Sequence, residues 1–143
     1  MNEPAYLVGR LLGLSDKLHV AYCQAVRKEI PSTIIGNSLL SSALDNPVAA
    51  LAVLADRLRI YIGWAKTLEW AKAGSEQDVI AFRTGRRALT EFADVERALG
   101  GRLPETKPTD EMKALMLLGY LARSERDPRA EEARDEEETE NGN

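Results

Sequence analysis

Cysteine and histidine are almost absent: Cys23 and His19 are the only ones in 143 residues. A single cysteine excludes an internal disulfide, and one of each excludes a Cys/His-rich zinc site within one chain. Such usage fits a reducing, cytoplasmic home. Aromatic residues are few, at 6% of the chain. Long hydrophobic runs are missing too, so nothing approaches the roughly 18 to 20 apolar residues of a membrane span. The opening MNEPAYLVGR is acidic where a secretory signal is basic, and no membrane association is expected.

What is present reads as helix throughout. Pro4 suits the first turn of a helix, and Leu7, Leu11, Leu14, Leu18, Ala21 and Ala25 recur at three- and four-residue spacing. Helix one is expected over about residues 4 to 28. Pro31 then interrupts, and Ser32 is placed to cap a second, weaker helix through Ile34, Ile35, Leu39 and Leu40. Asn46 before Pro47 is a strong start signal for helix three, with Leu51, Leu54, Leu58, Ile62, Ala65 and Leu68 as its stripe and Gly74 as its end. Ser75 and Asp78 open helix four, which runs to Gly100 and Gly101. Thr109 caps helix five, whose apolar residues are Met112, Leu115, Met116, Leu118 and Leu121. The expected fold is all-α: one bundle of about five helices over residues 1–126.

Charge is unevenly spread. Residues 127–143 carry eight Asp or Glu against two Arg, so the net −4 of the chain leaves the first 126 residues at +2. That tail has no apolar residue larger than alanine and is expected to be disordered. Its acidity lowers the whole-chain pI without removing basic faces from the bundle.

Catalytic chemistry finds little support. No Glu-x-x-His pair is present for a diiron bundle. His19 and Cys23, four residues apart, could act as base and nucleophile, but a surface or boundary histidine and a small interface residue account for them more simply. Gly9 and Gly13 lie inside a helix rather than after a strand, so their spacing serves close packing and not phosphate binding. No catalytic residue, metal or cofactor is expected.

Helix four carries a more suggestive pattern. Arg83, Arg86, Arg87 and Arg97 fall at about 0, −60, 40 and −40 degrees around its axis, on one face, with Phe82, Leu89, Phe92 and Leu99 on the other. Arginines so spaced can track phosphates without reading bases. A solvated face beside Glu91 and Asp94 explains them equally well. Helix three adds Arg57, Arg59, Lys66 and Lys72 among Tyr61, Trp64 and Trp70, a mixture that can hold a single strand by stacking and charge. The two tryptophans also suit a core or an interface, since six residues do not place them on one face.

Tyr6, Leu7, Gly9, Arg10, Leu11, Leu14, Asp16 and Lys17 resemble the helix that opens the C-terminal region of the large subunit of type I-C CRISPR Cascade. The similarity continues through Thr33, Ile34, Ser41, Ser42, Ala43 and Pro47, and returns at Leu103, Pro104, Leu118, Gly119 and Tyr120. Where that family has a charged Asp-Arg-Tyr, this chain has Gly36, Asn37 and Ser38, and the family's closing Tyr-His-Gln is Leu121, Ala122 and Arg123. With its own Met1 just before the match, the chain looks like the separately made small subunit. The resemblance implies a helical bundle stacked along a guide-RNA ribonucleoprotein used in antiviral defense. Its implied partners are the Cascade backbone subunits, the large subunit, other copies of itself and target DNA, above all the displaced strand of the R-loop. Modest phosphate contacts suffice there, because R-loop formation exchanges duplexes at nearly balanced free energy. The alternative is a helical protein–protein interaction module with no nucleic-acid role.

Overall fold

The computed structural model describes residues 3–67, 76–103 and 107–124. Trp70, Lys72, Gly74, Ser75, Pro104 and the acidic stretch 127–143 lie outside the described residues, so the expectations placed on them stand as sequence readings. The described chain is an all-α bundle of five helices: α1 (Pro4–Tyr22), α2 (Ile35–Asp45), α3 (Pro47–Lys66), α4 (Glu76–Leu99) and α5 (Asp110–Ser124).

α1 is the axis of the bundle, and each of the other four helices packs on it. Thirteen of its nineteen residues are buried, which a single apolar stripe would not require. Successive residues of a helix lie about 100° apart, so the buried runs Leu7–Val8–Gly9 and Leu11–Leu12–Gly13 each reach about 200° around its axis, and α1 is covered from several directions. Its last turn is wider than an α-turn: Cys23–Arg27 forms a π-helical turn that ends at Lys28, in the left-handed region at φ 58°. The expected continuous helix to residue 28 therefore stops early as an α-helix.

α4 runs antiparallel to α1. Glu91 pairs with Arg10 at 3.6 Å, Gly85 lies beside Ala21, and Asp78 pairs with Lys28, so α4 numbers fall as α1 numbers rise. Phe82, Ala88, Phe92, Val95 and Leu99 fill the seam. Gly100 and Gly101, at φ 56° and 75°, take the left-handed conformation that ends the helix, as their position predicts. Arg102 then donates to the terminal carbonyls of Leu99 and Ala98, at 3.1 and 2.6 Å.

α1 and α5 cross on two glycines. A Cβ at Gly9 would strike the backbone carbonyl oxygen of Met116, and one at Gly119 would strike that of Tyr6. Only bare backbone permits this approach. The expected caps of α3 and α5 are present: Ala49 N–H donates to Asn46 Oδ1 at 3.1 Å, and Met112 N–H to Thr109 Oγ1 at 3.2 Å.

Candidate interaction and nucleic-acid surfaces

The densest polar construction lies where α1, α2 and α5 meet. The first turn of a helix leaves its N–H groups without intrahelical partners. In α2 they are met from α1: Gly36 N–H donates to Asp16 Oδ1 at 2.6 Å, Asn37 N–H to the same oxygen at 3.3 Å, and Ile35 N–H to His19 Nδ1 at 3.3 Å. The hydroxyl of Tyr120 on α5 donates to Asp16 Oδ2 at 2.5 Å. Ser32, expected to cap this helix, does not, because the carboxylate reaches in from a neighbouring helix and adds its charge to the favourable end of the dipole. Gly36 is what admits it, since a Cβ there would meet the carbonyl oxygen of Leu12 and Asp16 Oδ1.

These polar groups are buried. Burial pushes the Asp16 carboxyl above its ordinary 3.8, against the lowering effect of the hydrogen bonds from Tyr120, Gly36 and Asn37. Burial, aided by the charge of Arg27, pushes His19 below 6.5. His19 is thus a core residue in its neutral form, deeper than the surface or boundary position expected, and it stacks on Tyr61 with ring centroids 4.7 Å apart. Cys23 is buried in the π turn, where burial raises its thiol above the ordinary value; the charge of Arg27 opposes the shift and that of Glu29 adds to it. This arrangement joins α1 to α2 and α5.

The aromatic residues form a chain across three helices. Tyr22 lies 4.9 Å from Tyr61 and 5.7 Å from Trp64, and Trp64 meets Phe82 edge-on at 5.4 Å. Gly85 leaves room for the indole, because its Cβ would come within 2.6 Å of Trp64 Cζ3. Trp64 is half-buried in the interface between α3 and α4.

The structure separates the predicted basic residues. On α4, Arg83 and Arg86 are exposed, Arg87 is half-buried, and Arg97 is exposed but paired with Asp94 at 2.9 Å. Arg86 lies 5.9 Å from the Phe82 ring centre. On α3, Arg57 and Lys66 are exposed, and Arg59 pairs with Asp56 at 3.2 Å. Arg27 was missed by sequence reading because it was placed on a continuous first helix. It stands in the π turn with its guanidinium 6.0 Å from the Tyr22 ring centre.

Two apolar strips face outward. On α5, Leu117, Leu118 and Leu121 are exposed, Leu118 by 55%, although Leu118 and Leu121 were expected on the packed face. On α3, Val53 and Ile60 are exposed on one face, Ile60 by 67%, and Val48 is exposed on another. Among the described residues no group of three or more His, Cys, Asp or Glu is arranged to hold a metal ion, and no helix is long and apolar enough to cross a membrane.

No protein-family model matches the chain, and neither the curated proteins nor the solved structures contain a match to it.

Proposed function

We propose that this protein is a non-catalytic helical interaction module that works as a subunit of a larger assembly. The observation that carries this reading is the outward apolar strip of Leu117, Leu118 and Leu121 on α5, together with Val53 and Ile60, two turns apart on one outer face of α3. Contiguous exposed apolar residues mark surfaces that another protein covers. Their test is a pair of charged variants, Ile60→Lys and Leu118→Lys, in a tagged chain expressed in its native host. The variants keep the melting temperature of the parent and lose its stably co-purifying partners. Retention of every partner by both variants overturns the assignment of these faces.

A second reading specifies the assembly: the small subunit of a CRISPR Cascade guide-RNA complex, non-enzymatic, holding target DNA or its displaced strand through phosphate contacts. It rests on the sequence resemblance and on the exposure of Arg83 and Arg86 on α4, with Arg57 and Lys66 on α3. Sequence-independent stabilisation of an exchanged duplex needs charge and donors without base identity. Co-purification of a large particle with short guide RNA and repeated backbone subunits supports this reading, and a protein-only complex returns the function to the first. Within such a particle, reversal of Arg83, Arg86 and Arg87 to Glu weakens target binding and flattens its salt dependence.

A further inference from the structure

Arg27 and Tyr22 belong to a surface that neither reading uses. The π turn brings Arg27 back over the ring of the half-buried Tyr22, 6.0 Å from its centre. Behind that ring stand Tyr61 and Trp64, at 4.9 and 5.7 Å, so Tyr22 is held in place from the inside. Trp64 is held in turn by Phe82 and by the space at Gly85. Across the seam, exposed Arg86 stands against Phe82, with Arg83 one turn earlier on the same helix. Lys28 fixes the end of the π turn to α4 through Asp78. The result is a braced aromatic ring with an exposed guanidinium over it and further arginines on the facing helix.

We propose that Tyr22 is a stacking site for one base of single-stranded nucleic acid, with Arg27 as its phosphate clamp. The proposal rests on the second reading, that this chain meets nucleic acid. A solvent-exposed guanidinium over the half-buried ring is weakly held, whereas its contact with a phosphate is charge-assisted and bidentate. On binding, Arg27 moves from the ring to a phosphate, and a base occupies the face it leaves. Arg86 and Arg83 engage the neighbouring phosphates. The ring stays where Tyr61 and Trp64 hold it, so little ordering accompanies the exchange. Stacking accepts any base, as a site without sequence preference requires.

The test compares two oligomers of about 20 units on the full chain at low salt: oligothymidylate, and an abasic strand with the same phosphates and no bases. Oligothymidylate binds at least about fivefold tighter, the increment of a single stacked base. Tyr22→Leu removes that difference and Tyr22→Phe keeps it, while Arg27→Gln weakens both oligomers. In a Trp70→Phe background, oligothymidylate alters the fluorescence of Trp64 and the abasic strand does not, a readout that survives should Tyr22→Leu fail to fold. Equal affinity for the two oligomers, or a difference that persists in Tyr22→Leu, overturns the stacking site and leaves the phosphate-binding reading standing. Binding of neither oligomer overturns both.

Discussion

The Tyr120 hydroxyl donates a 2.5 Å hydrogen bond to Asp16 Oδ2, joining residues 104 positions apart in the chain. Through the other oxygen, Asp16 holds the first turn of α2. One carboxylate therefore ties three helices, and its removal should cost more than that of any single donor. Tyr120→Phe is expected to destabilise the fold by about 2 kcal/mol, as for a hydrogen bond to a charged group. Asp16→Ala leaves three donors without their acceptor and is expected to cost about 3 kcal/mol or more. Urea unfolding checks both, and equal losses in the two variants would show that Asp16 acts only through Tyr120.

The same joint sets a pH response. His19 has its folded pKa below 6.5, so its contribution is present above 6.5 and is lost as pH falls through the folded value. Protonation also turns Nδ1 from an acceptor into a donor facing the Ile35 N–H. Asp16, raised above 3.8, works in the opposite sense: its contribution is present below 3.8 and is lost as pH rises through the folded value. Thermal melts between pH 7 and 4 should fall first on the acid side of 6.5. His19→Gln should flatten that first decline, and an unchanged profile in this variant would assign it to other groups.

Glycine substitutions divide sharply by location. Gly9→Ala and Gly119→Ala each drive a methyl group into a backbone carbonyl of the facing helix, and each is expected to cost about 3 kcal/mol, the upper end for overpacking. Gly63→Ala, on the outer face of α3, meets nothing within 4 Å and should stabilise the protein by about 0.5 to 1 kcal/mol through helix propensity. Gly85→Ala lies between them, pressing on the indole of Trp64, and should shift its emission as well as lower stability. Denaturation midpoints rank all four.

Cys23 is 2% exposed, and burial raises its thiol pKa, so the native protein should react slowly with a thiol reagent at neutral pH. In urea the reaction should become fast. Rapid labelling of the folded chain would mean that the π turn opens readily.

Much of the helical order is legible from local signals. Asn46 before Pro47, Thr109 before α5 and the glycine pair after α4 act within a few residues of the ends they define. The cap of α2 is not local: Asp16 and His19 approach from some twenty residues away, and nothing near Ile35 announces them. The centrality of α1 is readable in the runs Leu7–Val8–Gly9 and Leu11–Leu12–Gly13, three successive small or apolar residues that extend past a one-sided stripe. The basic face of α4 follows from helical spacing in Arg83 and Arg86. Arg27 does not, because a π turn changes the register after Tyr22 and turns the side chain toward a ring that ideal spacing would not reach.

The crossing of α1 and α5 also bears on how the chain is made. Helical bundles ordinarily fold fast because their contacts are local. Here Gly9 must wait for Met116 and Gly119, synthesised more than a hundred residues later. As residues emerge from the ribosome at roughly 5 to 20 per second, the Gly9 side of α1 stays uncovered for several seconds. The first helix to be made is thus among the last to be sealed, and the vulnerable species is the nascent chain with α1 formed and α5 still to come.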